Sequence, residues 1–356
     1  MAYYAYPLKD APLTERLAIV VFNLGGPDGP SAVRPFLFNL FNDPFIIPLP
    51  APLRWLFAAT ISTLRAGKSR GYYNRIGGKS VLLAETQAQA KALEEVAKPL
   101  AKEVRTFVLM RYWHPMAREV VQQLKAYAPT RIVVLPLYPQ YSTTTTGTTL
   151  AVLELEAKRQ KLTTPLETLC CYPTDPGYIG PIAIQLRGVY ETSRAYGKPR
   201  VLFSAHGLPE KTIAGGDPYE WQVHESTKAV VAKLGIADLD WTICYQSRVT
   251  PVPWLGPPVE AEIRRAGADK VPIIIVPISF VSEHVETLVE LDETMRDLAK
   301  DAGVPHFARL SAVRTDPTFI AALAGFIERL RGQRTPCTAS GIRVCPANHT
   351  KCPHVA

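Results

Sequence analysis

Short continuous apolar runs alternate with longer segments of helical periodicity along the first part of the chain. Residues 17–23 and 131–137 are largely apolar runs and residues 104–110 alternate; all three stop near Gly, Arg or Pro, as expected for buried parallel strands that end at a turn. Between them, residues 81–101 and 116–126 have the composition and spacing typical of helices. This order predicts a parallel sheet covered by helices.

The same alternation returns in the second half of the chain. Residues 200–205 and 270–277 are predicted strands, and residues 218–234, 259–266 and 286–302 are predicted helices. The pattern therefore predicts an α/β protein with two doubly wound domains. In such sheets the ligand lies beyond the carboxyl ends of the strands, often between domains.

Proline and glycine positions indicate where the predicted domains end. A Pro/Gly-marked region at residues 163–180 is the predicted hinge. Asp316 suits the N-cap of a last helix, with Pro317 at its first position. The predicted units are a first domain at 1–165, a second domain at 166–315, a helix at 316–331 that packs back on the first domain, and a cysteine-containing tail at 332–356.

Composition and charge narrow the class of protein. The 356 residues are 47% hydrophobic and 20% charged, which leaves ample apolar surface for burial and excludes a disordered protein. The formal net charge of +8 fits an anionic ligand or an anionic membrane surface. No compact Lys/Arg block is present, so we expect no nucleic-acid partner.

The chain shows neither a membrane-spanning pattern nor a secretory leader. No apolar stretch reaches the roughly 20 residues of a spanning helix, and the first residues lack a basic region followed by an apolar one. We therefore expect a cytoplasmic protein. The six cysteines would be reduced there, and clustered cysteines would indicate metal ligation rather than disulfides.

Polar side chains at two predicted strand ends suggest metal or proton chemistry. His206 follows the strand at 200–205. Glu286 and Glu290 follow the strand at 270–277 and are four residues apart, so a helix would place both carboxylates on one face. Imidazole and carboxylates at the ligand edge suit divalent-cation binding or proton transfer. A structural histidine and solvated carboxylates near a helix start are the alternative interpretation.

Other strand ends carry hydroxyl, aromatic and cationic side chains. Residues 23–27 (NLGGP) do not form a dinucleotide fingerprint, and residues 143–149 (TTTTGTT) lack the lysine of a P-loop. The threonine run suits either helix capping or carboxylate binding. Residues 72–80 and 111–115 add Tyr, Trp, Arg and Ser outside any regular period. This set suits a large flat aromatic ligand with acidic arms.

Seven segments occur together in the order typical of one enzyme family. From about residue 18 to residue 326 the chain resembles the ferrochelatases, which insert ferrous iron into a porphyrin to make haem. The matching segments are NLGGP (23–27), YNRIGGKS (73–80), MRYWHP (110–115), LPLYPQYSTTTTG (135–147), FSAHGLP (203–209), CYQSRVTPVPWLGP (244–257) and FVSEHVETLVELD (280–292). The resemblance implies two Rossmann-like domains of the class II chelatase type, with the active-site cleft between them.

The resemblance also implies roles for individual residues. His206 and Glu286 match the family's catalytic metal-site pair, and Glu290 would continue an acidic track for iron or protons. Which residue takes the metal and which takes the protons stays open. Arg111 is either a partner of a porphyrin propionate or half of a structural ion pair. The residues that match family positions near the macrocycle are Leu24, Arg65, Tyr73, Ser80, Tyr112 and Trp254.

The segment at 46–61 is apolar without a strand or membrane-spanning pattern. In the resembling family this region forms a hydrophobic lip at the mouth of the cleft. We expect peripheral contact with the inner face of a membrane, where Arg54 would meet lipid phosphate. An ordinary buried helix is the alternative.

The tail holds Cys337, Cys345 and Cys352. Some ferrochelatases carry a [2Fe–2S] cluster on three tail cysteines and one internal cysteine. The family position of the internal ligand is a threonine here, so Cys170 or Cys171 would have to substitute. A zinc site that includes tail histidines is the alternative.

Several assignments remain open at the level of sequence. The expected reaction inserts Fe²⁺ into protoporphyrin IX and releases two protons. Coproporphyrin III, another tetrapyrrole, or a haem- or metal-binding chaperone on the same fold are the alternatives. The apolar lip and Leu24 favour protoporphyrin. We expect the protein to be a monomer or a homodimer.

Overall fold

A computed structural model describes residues 14–248 and 251–354. The first sheet has five parallel strands in the order β2-β1-β3-β4-β9. The second sheet has four parallel strands in the order β6-β5-β7-β8. The strands are β1 (Arg16–Asn23), β2 (Glu103–Met110), β3 (Arg131–Pro136), β4 (Leu166–Cys171), β5 (Arg200–His206), β6 (Asp240–Gln246), β7 (Ile273–Pro277), β8 (Phe307–Arg309) and β9 (Cys337–Thr338).

Helices cover the sheets and connect their strands. Two helices begin with a π-helical segment: Thr143–Gly147 leads into α5, and Glu286–Thr294 leads into α10. The helices are α1 (Val33–Phe41), α2 (Ala51–Asn74), α3 (Leu82–Ala97), α4 (Ala117–Tyr127), α5 (Thr148–Arg159), α6 (Pro176–Ser193), α7 (Glu210–Ala214), α8 (Tyr219–Leu234), α9 (Val259–Ala268), α10 (Met295–Asp301) and α11 (Pro317–Arg329).

Strand β1 shows why the fold is doubly wound. Its side chains alternate between the two faces of the sheet, and all its residues from 17 to 22 are fully buried. Leu17, Ile19 and Val21 belong to the core that includes α3 and α11, whereas the intervening residues pack with α4 and α5. Both faces are therefore covered by helices, which confirms the predicted α/β class.

The predicted boundary at residue 165 differs from the observed sheets. Strand β4 (Leu166–Cys171) pairs with β3 in the first sheet, although it lies inside the predicted hinge. Pro165 and Pro173 lie just outside this strand, so they do not interrupt its hydrogen bonds. They mark the turns on either side of β4, and the predicted hinge therefore included the strand between them. Below, "first half" means residues 14–171 and "second half" means residues 200–309.

The last helix and the tail both lie against the first half of the molecule. Asp316 caps α11 by accepting hydrogen bonds from the amides of Thr318 and Phe319, which confirms the predicted cap. Helix α11 packs against α3 and α6. The cysteine-containing tail adds the two-residue strand β9 to the edge of the first sheet beside β4.

The apolar segment at 46–61 leads into a long, exposed helix. Helix α2 carries Leu53, Trp55 and Leu56 with 58%, 56% and 59% of their surfaces exposed. An ordinary buried helix, the alternative prediction, is therefore not what forms here. Among the described residues, no helix combines the length and the apolar character needed to cross a membrane.

Candidate active site

The carboxyl ends of the two sheets face each other across a cavity of about 360 Å³. This is the position that parallel α/β sheets favour for ligands. The first half contributes a largely apolar wall that includes Leu24, Phe36, Leu37, Leu40, Phe41 and Ile46. The second half contributes His206, Leu208, Tyr219, Ser247, Trp254 and Glu286.

His206 is the last residue of β5 and presents one ring nitrogen to the cavity. Its Nδ1 lies 2.6 Å from the carbonyl oxygen of Gly207, which can only accept, so Nδ1 carries a proton and donates it. The other nitrogen, Nε2, lies 3.8 Å from Oε1 of Glu286. The hydroxyl of Tyr219 donates to the carbonyl oxygen of His206 and fixes the strand end. The imidazole is thus oriented with Nε2 available to a ligand or a proton.

Glu286 begins the π-helical segment after β7 and stands between two imidazoles. Besides His206, Nε2 of His284 lies 3.3 Å from its Oε2. Burial alone would raise the pKa of Glu286, but the charges of His206 and His284 and the hydrogen bond from His284 lower this pKa to about 2. The carboxylate is therefore ionised at neutral pH.

Glu290 follows within the same π-helical segment and is held by Ser247. The backbone N–H of Ser247 donates to Oε1 at 3.0 Å and its hydroxyl donates to Oε2 at 2.6 Å. Burial and the charge of Glu286 raise the pKa of Glu290, while the hydrogen bonds from Ser247 and the charge of His206 oppose that shift. Glu290 therefore holds a proton more readily than Glu286.

An ion-pair network under the π-helical segment fixes its two ends. Arg309, with 6% of its side chain exposed, donates to both carboxylate oxygens of Glu283 at 3.1 Å and to Asp292 at 2.5 Å. Glu283 also accepts from the hydroxyl of Thr287 at 2.5 Å. Strand β8 thus ties Glu283, three residues before the segment, to Asp292 near its end. Nothing in the sequence pattern linked Arg309 to this site.

Five of the seven predicted porphyrin contacts line the cavity, and two lie outside its lining. Leu24, Arg65, Tyr73, Ser80 and Trp254 line it. Burial and the charge of Glu286 raise the pKa of Tyr73 well above its usual range, so its phenol stays neutral. Ser80 packs so closely on Gly26 that any Cβ at Gly26 would overlap it, which explains the second glycine of NLGGP.

Arg111 and Tyr112 instead belong to a buried cluster around Asp43. Oδ2 of Asp43 accepts from Arg111 at 2.7 Å, from the Tyr112 hydroxyl at 2.7 Å and from the Thr148 hydroxyl at 2.6 Å. Tyr112 is fully buried. Of the two interpretations of Arg111, the geometry corresponds to the structural ion pair, because its guanidinium is already engaged by a buried carboxylate.

The cavity also contains polar residues that the sequence analysis did not single out. Tyr138, Tyr219 and Ser279 line it, and the Tyr219 hydroxyl lies 2.9 Å from the Ser279 hydroxyl. Among the described residues, the buried hydroxyl of Tyr138 has no hydrogen-bond partner. Tyr138 and Ser279 follow the third strand of each sheet, so their place just after a predicted strand was the signal available.

The predicted cysteines come together behind the cavity. All five are buried. Sγ atoms of Cys170 and Cys171 are 3.5 Å apart, and Gln222 donates to Cys171 at 3.5 Å and to Cys345 at 3.1 Å. A hydrogen bond with Cys345 lowers the pKa of Cys352 to about 6, against the effect of burial. Within the described chain, no group of three or more His, Cys, Asp and Glu side chains is arranged as a ready metal site.

Two solved structures of SirB superpose on most of this chain. SirB from Bacillus subtilis with Fe³⁺ superposes with a TM-score of 0.54 over 90% of this chain and 98% of that chain, at 12% identity. The sirohydrochlorin chelatase SirB from Bacillus subtilis subspecies spizizenii in complex with cobalt gives a TM-score of 0.52 at 12% identity, over 90% and 95% of the two chains. The protein therefore has the two-domain, Rossmann-like fold of chelatases.

Sequence relatives narrow this class. The Ferrochelatase family profile matches residues 16–330. Ferrochelatase of Caulobacter vibrioides (strain NA1000 / CB15N) is 49% identical over 346 residues, 96% of this chain and 98% of that protein. Ferrochelatase of Phenylobacterium zucineum is 50% identical over 344 residues, 95% and 97% of the two chains. Ferrochelatase of Rickettsia felis is 46% identical over 345 residues, 96% and 98%. The chain belongs to the ferrochelatase family and is a porphyrin metal chelatase.

Proposed function

We propose that the protein inserts Fe²⁺ into protoporphyrin IX between the two sheets and releases two protons, the last step of haem biosynthesis. The observation that carries this proposal is the pair of His206 and Glu286 on one wall of the cavity, opposite the apolar wall of the first half. One wall suits a metal ion and its displaced protons. The other suits the flat apolar face of a porphyrin.

The spacing of the pair supports cation binding. Nε2 of His206 and Oε1 of Glu286 are 3.8 Å apart. Two ligand bonds of about 2.1 Å span up to about 4.2 Å, so one divalent transition-metal ion fits between them. Imidazole and carboxylate are suitable ligands for ferrous iron. The proton on Nδ1 of His206, held by Gly207, leaves Nε2 with a lone pair that faces the gap.

Proton removal requires acceptors with different proton affinities. Each porphyrin gives up two pyrrole N–H protons as one iron enters, which leaves the macrocycle neutral with Fe²⁺ bound. Nε2 of His206 has one lone pair, so it accepts a pyrrole proton only when it does not bind the metal, and Glu290, with its raised pKa, is the next acceptor along the π-helical segment. The ionised Glu286 stabilises the imidazolium or the metal by its charge.

The first half supplies the shape that holds the macrocycle. The cavity volume of about 360 Å³ falls within the range of about 300–1,000 Å³ typical of small-molecule sites. Leu24 and Trp254 provide apolar contact on its two sides, and Arg65 and Ser80 are donors for the propionates. Binding energy from these contacts is available to bend the macrocycle and expose its nitrogen lone pairs.

Metal insertion by the purified protein tests this proposal. Anaerobic protein with protoporphyrin IX and Fe²⁺, or Zn²⁺ as a stable substitute, should convert the absorbance of free porphyrin to that of metalloporphyrin over many turnovers. Parallel reactions with coproporphyrin III should be slower. Faster turnover of coproporphyrin III would establish the alternative substrate. Tight haem binding without turnover of any porphyrin would identify a binding protein instead.

The exposed residues of α2 support a peripheral membrane contact for this cytoplasmic enzyme. Leu53, Trp55 and Leu56 project from the first turns of the helix near the cavity mouth, where Ile46 and Ile47 line the cavity. Arg54 donates to backbone oxygens of Asn42 and Leu49, so it braces the helix start rather than projecting alone. An apolar surface of this kind suits insertion into a headgroup layer.

Replacing Leu53, Trp55 and Leu56 together with Ser tests the membrane contact. The triple variant should lose at least about tenfold in binding to anionic liposomes, because each exposed apolar side chain contributes about 1 kcal/mol or more on burial. Leu64→Ser, also exposed at 74% but a further turn or more along α2, is the matched control. Unchanged sedimentation of the triple variant with liposomes would contradict the contact.

The cysteines behind the cavity support a [2Fe–2S] cluster that orders the tail. A cluster of this kind takes four thiolates, and the five candidates, Cys170, Cys171, Cys337, Cys345 and Cys352, are all buried and unpaired by disulfides. Bound iron and sulfide would supply the tail with a rigid cross-link, since metal-binding free energy becomes folding free energy. Cys337 is already tied to β4 through β9.

Serine substitution distinguishes the ligands. Freshly purified protein should contain iron and acid-labile sulfide and show visible absorbance separate from haem. Cys345→Ser should remove this absorbance, and Cys170→Ser and Cys171→Ser, made separately, should identify the fourth ligand. Cys244→Ser, a buried cysteine in β6, is the control that should keep it. Protein purified anaerobically without iron and sulfide would contradict the cluster, and stoichiometric zinc would establish the alternative.

A further inference from the structure

The stretch from Asp217 to Gln222 in the second half holds a turn of the first half. Asp217 is only 1% exposed. Its Oδ2 accepts from the Ser142 hydroxyl at 3.0 Å and from the backbone N–H and the hydroxyl of Thr143, each at 2.7 Å. Its Oδ1 accepts from the backbone N–H of Tyr219 at 3.0 Å. Within the described residues no Lys, Arg or His forms an ion pair with this carboxylate, so hydrogen bonds alone compensate its burial.

Gln222 holds the same turn one residue earlier. Its side chain is fully buried, and its Oε1 accepts from the backbone N–H of Tyr141 at 2.7 Å. Its Nε2 donates to the sulfurs of Cys171 and Cys345. One side chain therefore contacts the turn before Ser142, the end of β4 and the tail at the same time.

The tail also contacts this stretch directly. The backbone N–H of Lys351 donates to the carbonyl oxygen of Gly216 at 3.1 Å. Gly216 has a φ of +95°, and a Cβ at this position would collide with Thr350. The tail thus packs on the residue that immediately precedes Asp217.

The turn and the stretch that holds it both reach the cavity. Ser142, Thr144 and Thr145 line the cavity on the first half, and Tyr219 lines it on the second half while donating to His206. A displacement of Asp217 would therefore move two cavity walls relative to each other. In a packed interior such shifts are transmitted rather than absorbed.

We propose that Asp217 and Gln222 are positioning residues that couple the cysteine-bearing tail to the cavity, so that ordering of the tail sets the position of the hydroxyl turn 142–145 opposite His206. This inference rests on the proposed function only in taking a porphyrin as the occupant of the cavity. The tail acts through Gly216 and Gln222, and the turn responds through Asp217.

The first experiment perturbs the tail contact without touching the cavity. In Gly216→Ala the added methyl group meets Thr350, so the tail should become more sensitive to trypsin and the dissociation constant for protoporphyrin IX, measured by fluorescence, should rise at least about fivefold. Gly235→Ala is the matched control: Gly235 also has a positive φ, +61°, but its nearest neighbour would be 3.9 Å away. It should leave both measurements unchanged.

A second substitution keeps the test valid if backbone strain disturbs folding. Thr350→Ala removes the hydroxyl that the new methyl group meets most closely but leaves the Thr350 backbone nitrogen 3.1 Å from it, so adding it to Gly216→Ala should restore part of the porphyrin affinity and of the tail protection. Asp217→Asn, which cannot accept on both sides, should raise the porphyrin dissociation constant by a similar factor while the KM for the metal stays within about twofold. Asp175→Asn, a buried N-cap of α6 outside the cavity, is its control.

The outcomes separate the coupling from the proposed function. A Gly216→Ala protein with a protease-sensitive tail and wild-type porphyrin affinity would overturn the coupling. So would an Asp217→Asn protein in which KM values for metal and porphyrin rise together with a loss of thermal stability equal to that of Asp175→Asn. A wild-type protein that binds no porphyrin would overturn the proposed function, and with it the coupling.

Discussion

The two sheets repeat one topology but contribute different chemistry. If the strands of each sheet are numbered in the order of the chain, both sheets have the spatial order second, first, third, fourth. The first sheet adds β9 at its edge. In both, the connection after the third strand enters a helix through a π-helical segment, Thr143–Gly147 in one and Glu286–Thr294 in the other. The strand–helix alternation that returns in the second half of the chain predicted two doubly wound domains, but their shared strand order is visible only in the fold.

The amino-terminal edges of the sheets are alike. Arg16 at the start of β1 pairs with Glu103 at the start of β2, at 3.1 Å and opposite it in register. Arg200 at the start of β5 pairs with Asp240 at the start of β6 in the same way, at 2.8 Å. These ion pairs lie far from the cavity along the strands, so their contribution is to stability.

The carboxyl edges are where the sheets differ. Strand β1 ends at Asn23, whose side chain accepts from the amide of Leu24 and shapes the apolar wall. Strand β5 ends at His206. One π-helical segment carries hydroxyls and the other carries carboxylates. The comparison teaches that a repeated scaffold is compatible with two different walls, because only the residues after each strand reach the ligand.

The strongest test of this division compares the ends of β5 and β1. His206→Ala should lower metal insertion by at least about 100-fold, because an acid–base group is lost, while porphyrin binding changes much less. Asn23→Ala should lower it less than about tenfold and act mainly on the porphyrin KM. Steady-state kinetics with Zn²⁺ measure both. Near-normal turnover in His206→Ala would remove it from the mechanism.

A second test compares the amino edges, where no difference in chemistry is expected. Arg200, 8% exposed, bonds to Asp240 and Asp269, so Arg200→Ala should lower the free energy of unfolding by about 2 kcal/mol. Arg16 is 38% exposed, so Arg16→Ala should lower the free energy of unfolding by less than about 1 kcal/mol. Denaturant unfolding measures both changes, and kcat of each variant should equal that of the wild type. A kinetic change in Arg200→Ala would contradict a purely stabilising edge.

The smallest expected effect concerns the pH dependence of stability at Glu290. Because the pKa of this carboxyl is raised in the folded protein, the folded state binds its proton more tightly, and ionised Glu290 destabilises the fold at neutral pH. Glu290→Gln should therefore raise the thermal midpoint at pH 7 by on the order of 2 °C and lower metal insertion.

The sign of this stability effect is testable along the pH axis. The advantage of Glu290→Gln should vanish as the pH falls below the ordinary carboxyl range, where Glu290 is protonated in both states. An advantage that instead grows with acidity would mean that ionised Glu290 stabilises the fold. Ser247→Ala, which removes one hydrogen bond to the carboxylate, should accentuate the wild-type pH dependence.

Sequence patterns predicted the strands that are apolar throughout and the chemistry at their ends. Residues 17–22 and 132–136 are buried on both faces, so their continuous apolar runs were sufficient. Strand β4 was not predicted, because its first residues, Leu166 and Glu167, are only partly buried and prolines flank it. The exposed start of α2 departed from the buried-helix alternative for residues 46–61, since periodicity measures amphipathic character and not which face finds a partner.

By itself, the sequence determined the α/β class, the family, and the strand-end residues His206 and Glu286, because local periodicity and short motifs carry that information directly. Only the tertiary structure decided that Arg111 serves Asp43 rather than the cavity, that Arg309 braces the π-helical segment, and that Asp217 and Gln222 join the tail to a turn of the first half. These contacts connect residues that are far apart in the chain. Their partners are chosen by three-dimensional packing and by the need of each buried charge for a hydrogen bond, neither of which leaves a period in the sequence.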